Sequence, residues 1–156
     1  MEYNTSPRTI DYALKERYAQ ADLDAQQIAG KLRLIPSGDV GMPEVYSSIA
    51  EIVRIKYFLA QDDMITDYFN GLGELSIAKA LGMDRSAVAG IDLEAKCNGT
   101  SSVMTKKILL IIFLNKELDI GIDPHTSAEI VNLSQLATAV FDSLHNGLKK
   151  SLASEV

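Results

Sequence analysis

G-T-S-S-V-M-T-K-K-I-L-L-I-I-F-L-N-K-E-L, running from Gly99 to Leu118, decides the fold. It opens with small hydroxyl residues behind a glycine and becomes unbroken hydrocarbon from Ile108 to Leu114. Ser101 and Ser102 stand where a hydroxyl accepts a bond from the unpaired N–H groups of a helix start. A helix that is apolar on nearly every side needs neighbours on most of them. The stretch therefore predicts a central helix, ending around Asp119, with the other segments packed about it.

Downstream, Gly121, Asp123 and Pro124 mark a break, and the pre-proline restriction keeps Asp123 out of helix. Thr126 or Ser127 is expected to cap a short turn. Asn132 caps a last helix with Leu133, Leu136, Val140, Phe141 and Leu144 on one face, ended by Gly147, with a frayed tail from Lys149.

Upstream, residues 90–98 have no clean period and read as a loop, and Asp84 to Ala89 as a turn or a single helical turn. Gly82 has the place of a left-handed residue closing a helix from Glu74 to Leu81. Asp62 or Asp63 is expected to cap a helix bearing Ile65, Tyr68 and Phe69, which Gly71 and Gly73 weaken and split. Pro43 opens a helix with Val45, Ile49, Ile52, Val53, Tyr57 and Leu59 that closes near Gln61. Ser6-Pro7 opens the first, a long amphipathic helix with Ile10, Leu14, Tyr18, Ala21, Ala25, Ile28 and Leu32 on its apolar face and a re-nucleation point near Asp22. With no alternating strand pattern, the class is all-α. The expected organisation is an N-terminal helical extension over 1–61, a helical bundle over 62–148 and a flexible tail over 149–156.

The bulk properties narrow the function. A net charge of −6 argues against a nucleic-acid surface, whose affinity comes from clustered lysine and arginine. The longest apolar run is far short of the ~20 residues of a membrane span, so no membrane contact is expected. The N-terminus lacks the basic start and apolar stretch of a secretory signal and Cys97 is a lone cysteine, so the expected location is the cytoplasm.

Two resemblances attach to I-A-K-A-L-G-M-D-R-S-A-V-A-G-I, Ile77 to Ile91. Ala78, Gly82, Met83, Ser86, Val88 and Ile91 fall where a DNA-binding helix-turn-helix has its small residue, turn glycine and core apolars. The would-be recognition helix, however, contains Gly90, meets Asp92 and Glu94, and has only Arg85 to face phosphate. The second resemblance covers Ile77 to Val140, which is similar to the acyl carrier proteins, four-helix carriers of a phosphopantetheine arm. I-A-K-A-L-G-M-D resembles the end of that family's first helix. Ser102, twenty positions after Gly82, stands at the distance of the modified serine. G-T-S-S-V resembles the family's Gly-x-Asp-Ser-Leu: Gly99 matches, Ser101 stands in the aspartate's place and Val103 in the leucine's. L-N-K-E-L-D-I-G-I-D and I-V-N-L-S-Q-L-A-T-A-V, Ile130 to Val140, resemble the end of the second helix and the last helix. The chain departs from the pattern in its missing aspartate, in a longer interval from Ser102 to Ile122, and in Lys106-Lys107 at a helix start that is usually acidic.

The resemblance implies an acyl-carrier-like four-helix bundle with an additional N-terminal pair of helices. It implies 4′-phosphopantetheine on Ser102, with Ser101 and Gly99 in the site loop, and a carrier rather than an enzyme. The partners it implies are a phosphopantetheinyl transferase and acyl-transferring enzymes of fatty acid, polyketide or nonribosomal peptide assembly. A phosphodiester there would meet the positive end of a helix dipole. The alternative for the same residues is structural, with Ser101 a plain N-cap. A typical carrier leaves the outer face of this helix polar, so Ile108 to Leu114 predicts that the helices near 8–32 and 43–60 cover it, from the same chain or from the second subunit of a homodimer.

The other candidates are weak. His125 and His145 have no ligand spacing around them, and Cys97 has no basic or histidine neighbour in sequence. Asp62-Asp63 and Asp22 with Asp24 suit helix caps or solvent.

Overall fold

The computed structural model describes residues 7–36, 38–88 and 102–153, and among these the protein is all-α, its only strand-like feature an isolated bridge. α1 (Pro7–Leu34) and α2 (Met42–Lys56) form an antiparallel pair, with Asp22 ion-paired to Lys56 and Tyr18 edge-on to Phe58 at 5.1 Å. α1 buries Ala21, Ala25, Ala29 and Leu32, and α2 buries Val45, Ile49, Ile52 and Val53; all of these but Ala21 belong to one core. At 1.5 Å per residue, α1 is about 42 Å long and α2 about 22 Å. Only the C-terminal half of α1 therefore has α2 beside it. Residues 12–20 are all exposed, so Leu14 and Tyr18, expected in the core, are at the surface. The helix also passes Asp22 without interruption.

α2 stops at Lys56, short of the expected Gln61, because Phe58 takes a left-handed conformation with φ 55°. The Leu59 N–H donates to Arg54 O at 2.9 Å and the Phe58 N–H to Ile55 O at 3.2 Å, closing the helix as glycine usually does. Ser76 Oγ donates to the Tyr57 carbonyl at 2.7 Å, satisfying another group of the same terminus.

The helix expected from Asp62 or Asp63 is a short 3-10 turn, Gln61–Asp63, in which Asp63 accepts from Ala60 N–H at 2.8 Å. The chain then runs through 64–67 without helix, because its backbone pairs elsewhere. Phe69 N–H donates to Val131 O at 3.0 Å and Leu133 N–H to Asp67 O at 2.8 Å, an antiparallel bridge of Tyr68 with Asn132. Ile65, expected on the helix, is exposed.

α3 (Phe69–Leu81) begins at that bridge and continues through Gly71 and Gly73, where a split was expected. Both glycines are buried at close approaches. A Cβ on Gly73 would stand 2.8 Å from Val103 Cγ1, and one on Gly71 2.7 Å from Arg85 Nη2 and 2.9 Å from Thr66 Cγ2. Gly82 closes α3 at φ 63°, the left-handed residue the sequence predicts. Residues 85–88 form a helical turn.

α4 (Ser102–Leu118) is the expected central helix, closed by Asp119 at φ 53° with Ile120 N–H donating to Asn115 O at 3.1 Å. The short α5 (Pro124–Glu129) is capped by Asp123 rather than by Thr126 or Ser127: the Asp123 carboxylate accepts the Thr126 N–H at 2.8 Å and hydroxyl at 3.0 Å. Those bonds hold the carboxyl below the ordinary aspartate value. α6 (Leu133–Ala153) is capped by Asn132, as expected, through a 2.8 Å bond from Gln135 N–H, and Gln135 Oε1 accepts Val131 N–H at 2.7 Å. It passes Gly147 without a break, so part of the expected tail is helical. One glycine costs a helix only about 1 kcal/mol against alanine.

A single apolar cluster takes Ala25 and Leu32 from α1, Ile49 and Ile52 from α2, Leu72 from α3, Leu110 and Leu114 from α4, and Leu136 and Val140 from α6. Residues on both sides of the 61/62 boundary thus share one core. No helix among the described residues is long and apolar enough to cross a membrane.

Candidate attachment site at the start of the central helix

Ser102 is the first residue of α4 and is exposed. Ser101 and Gly99 lie outside the described residues, as do Cys97 and the loop expected over 90–98. Because Ser102 is itself helical, the extra length between it and Ile122 falls in α4 or in its closing turn, not in a loop between the serine and the helix. Val103 is buried against Gly73, so the first turn of α4 is fixed on α3 while its serine stays at the surface.

The two lysines of this helix start turn inward. Lys107 Nζ donates to the Ile130 carbonyl at 2.9 Å, at the C-terminal end of α5, where helix carbonyls lack partners. Lys106 lies over the Tyr57 ring, 5.5 Å from its centroid. Burial lowers the pKa of both below the ordinary lysine value. They serve the packing around the site as well as its charge.

α4 is less enclosed than its sequence suggests. Val103, Leu110, Ile111, Leu114 and Leu118 are buried, and Phe113 lies under Lys56 of α2 at 4.5 Å. Met104, Ile108, Leu109 and Ile112 remain between 40% and 58% exposed. The N-terminal helices therefore cover one face of α4 and leave a second apolar stripe open.

A cleft of about 340 Å³ opens beside this site, between the N-terminal half of α1, Phe58, α3 and Lys106 of α4. Sequence spacing did not single it out, since its walls come from segments far apart in the chain. The exposure of Leu14 and Tyr18 on α1 is the consequence of helix length that helps to form it.

The remaining candidates are dispersed. His125 sits 3.5 Å from Glu129 on the exposed face of α5, and His145 donates from Nδ1 to the Phe141 carbonyl at 2.9 Å while lying against the Phe141 ring. Asp63 pairs with Lys79, and Asp24 accepts from Gln20 at 2.9 Å. Among the described residues no three His, Cys, Asp or Glu side chains gather as a metal site would require. Comparisons of the chain with protein-family models, with characterised proteins and with solved structures produced no match.

Proposed function

We propose that the protein is an atypical carrier that holds an acyl, aminoacyl or peptidyl group on 4′-phosphopantetheine attached to Ser102. The observation that carries this reading is the position of Ser102, exposed on the first described turn of α4 while the next residue, Val103, is locked into the core. The helix order after it supports the same reading: a long helix, a tight turn, a six-residue helix and a long last helix. The residues present fit the group, because a phosphodiester on the exposed Ser102 would face solvent from the N-terminal part of α4, where the helix dipole favours an anion. The arm would supply the thiol that carries the cargo. The chain's own work is to present that arm and to raise the effective concentration of its cargo for partner enzymes; it performs no bond-making itself.

The test is incubation of the full chain with a phosphopantetheinyl transferase and coenzyme A, read by intact mass. The expected result is a gain of one phosphopantetheine that Ser102→Ala abolishes and Ser101→Ala retains. An unchanged mass with transferases of broad specificity would refute the reading.

A second reading is favoured by the open stripe of Met104, Ile108, Leu109 and Ile112: an unmodified carrier-like scaffold that binds a protein through this face or pairs as a homodimer through the apolar residues of α1. Light scattering across a concentration series separates monomer from dimer. Leu14→Lys, at an exposed position of α1, should leave a monomer unchanged and dissociate a dimer built on that helix.

A further inference from the structure

We propose that the cleft between α1, α3 and α4 binds a small apolar monocarboxylate, its head group among Arg17, Lys79 and Lys106 and its hydrocarbon on Leu14, Tyr18 and Phe58. This inference stands apart from the modification of Ser102 and would hold if that serine were never modified.

The first argument is sign. The protein carries a net charge of −6, yet among the described residues three cations and no carboxylate line this cleft. Lys79 is ion-paired with Asp63 and Arg17 lies over the Phe58 ring at 4.9 Å, but Lys106 has no carboxylate partner among the described residues. Burial disfavours its charge, and an anion entering the cleft would offset that cost.

The second argument is shape. At about 340 Å³ the cleft lies at the lower end of the range for small-molecule pockets, enough for a short-chain or single-ring acid. The apolar wall is held in place: Phe58 is fixed in its left-handed conformation by the helix-closing bonds, and Tyr18 meets it edge to face. A bulky residue in that conformation is strained, and such strain clusters at binding sites. Apolar side chains and cations in one cleft match an amphipathic anion better than a polyanion, which would bring more charge than three partly engaged cations neutralise.

The test uses the full-length, isotope-labelled chain titrated with octanoate and, in parallel, with octylamine and octanol, followed by backbone amide shifts. The expected result is saturable movement of the Ser76, Lys79 and Lys106 amides with octanoate, with octylamine giving no saturable movement and octanol binding at least about tenfold more weakly. Lys106→Met should weaken octanoate about tenfold or more, and the exposed Arg17→Met, which leaves the core untouched, should weaken it in the same direction. Lys31→Met, elsewhere on α1, should not. Octanoate shifts that fail to saturate, equal binding of the amine, or unchanged affinity in both Lys106→Met and Arg17→Met would each overturn the proposal.

Discussion

Asn115 locks the turn after α4 by bonding Ile122 in both directions: its Nδ2 donates to the Ile122 carbonyl at 3.0 Å and its Oδ1 accepts the Ile122 N–H at 2.9 Å. One side-chain amide thus does for this turn what a paired strand would do. Asn115 also accepts the Ile120 N–H on its own carbonyl, so a single residue holds both ends of the Asp119–Gly121 turn. Asn115→Ala should destabilise the fold by about 1–3 kcal/mol, because two half-buried backbone groups lose their partners. Asn115→Asp should recover part of this, since it retains the acceptor. Urea unfolding gives the energies, and faster hydrogen exchange at Ile122 would localise the loss.

Gly73 and Val103 define how closely α3 approaches the start of α4. Gly73→Ala would gain about 1 kcal/mol of helix propensity. It would also push a methyl to 2.8 Å from a β-branched side chain that has little rotamer freedom to retreat. Overpacking of this kind costs about 1–3 kcal/mol, so a net loss of stability is expected. Val103→Ala removes the obstructing methyls at its own cavity cost. In a double-mutant cycle the pair should be more stable than the two single losses predict. Additive losses would mean that α3 and α4 move apart freely.

The core helices were legible where periodicity and caps agreed, as in α2 from Pro43, α4, and α6 from Asn132. The closure at Gly82 was legible because only glycine takes that conformation without strain. Phe58 and Asp119 close helices in the same geometry without glycine, and the rule for turn residues passes over them. Gly71 and Gly73 misled in the other direction: they weaken an isolated helix, but here they permit a close contact that repays the cost. The non-helical stretch 64–67 depends on the pairing of Asp67 and Phe69 with Leu133 and Val131, far apart in sequence, and no local signal marks it. At the candidate site, Ser102 and the helix behind it were readable from the sequence, whereas the inward turn of Lys106 and Lys107 depends on Tyr57 and Ile130.

Tyr57 is buried with a hydroxyl that has no hydrogen-bond partner among the described residues. Burial pushes its pKa far above the ordinary tyrosine value. Tyr57→Phe keeps the ring and removes the orphan group, so it should leave the protein equally stable or more stable at neutral pH, by up to about 1–3 kcal/mol. The pH dependence follows from the direction of the shift. The folded pKa is raised, so the contribution is fully present below the unfolded value near pH 10 and is lost as pH rises from there toward the folded value. Thermal unfolding should show the wild type losing stability above about pH 10 more steeply than Tyr57→Phe.

Lys106 gives the opposite pH signature. Its charge is partly buried and its folded pKa is lowered, so between that value and the ordinary lysine value the unfolded chain binds more protons than the folded one. Stability contributed by this residue therefore rises with pH through that window, and at neutral pH the cost of burying the charge is fully present. Attraction to the Tyr57 ring opposes the cost, but at 5.5 Å it lies near the limit of such contacts, worth about 0.5–1 kcal/mol at best when exposed. Lys106→Met keeps the hydrocarbon stem on the ring and removes the ammonium, so it should raise the unfolding midpoint at pH 7, with the advantage shrinking as pH approaches the lysine range. A lower midpoint for Lys106→Met at pH 7 would show that the ring stabilises the charge more than burial penalises it.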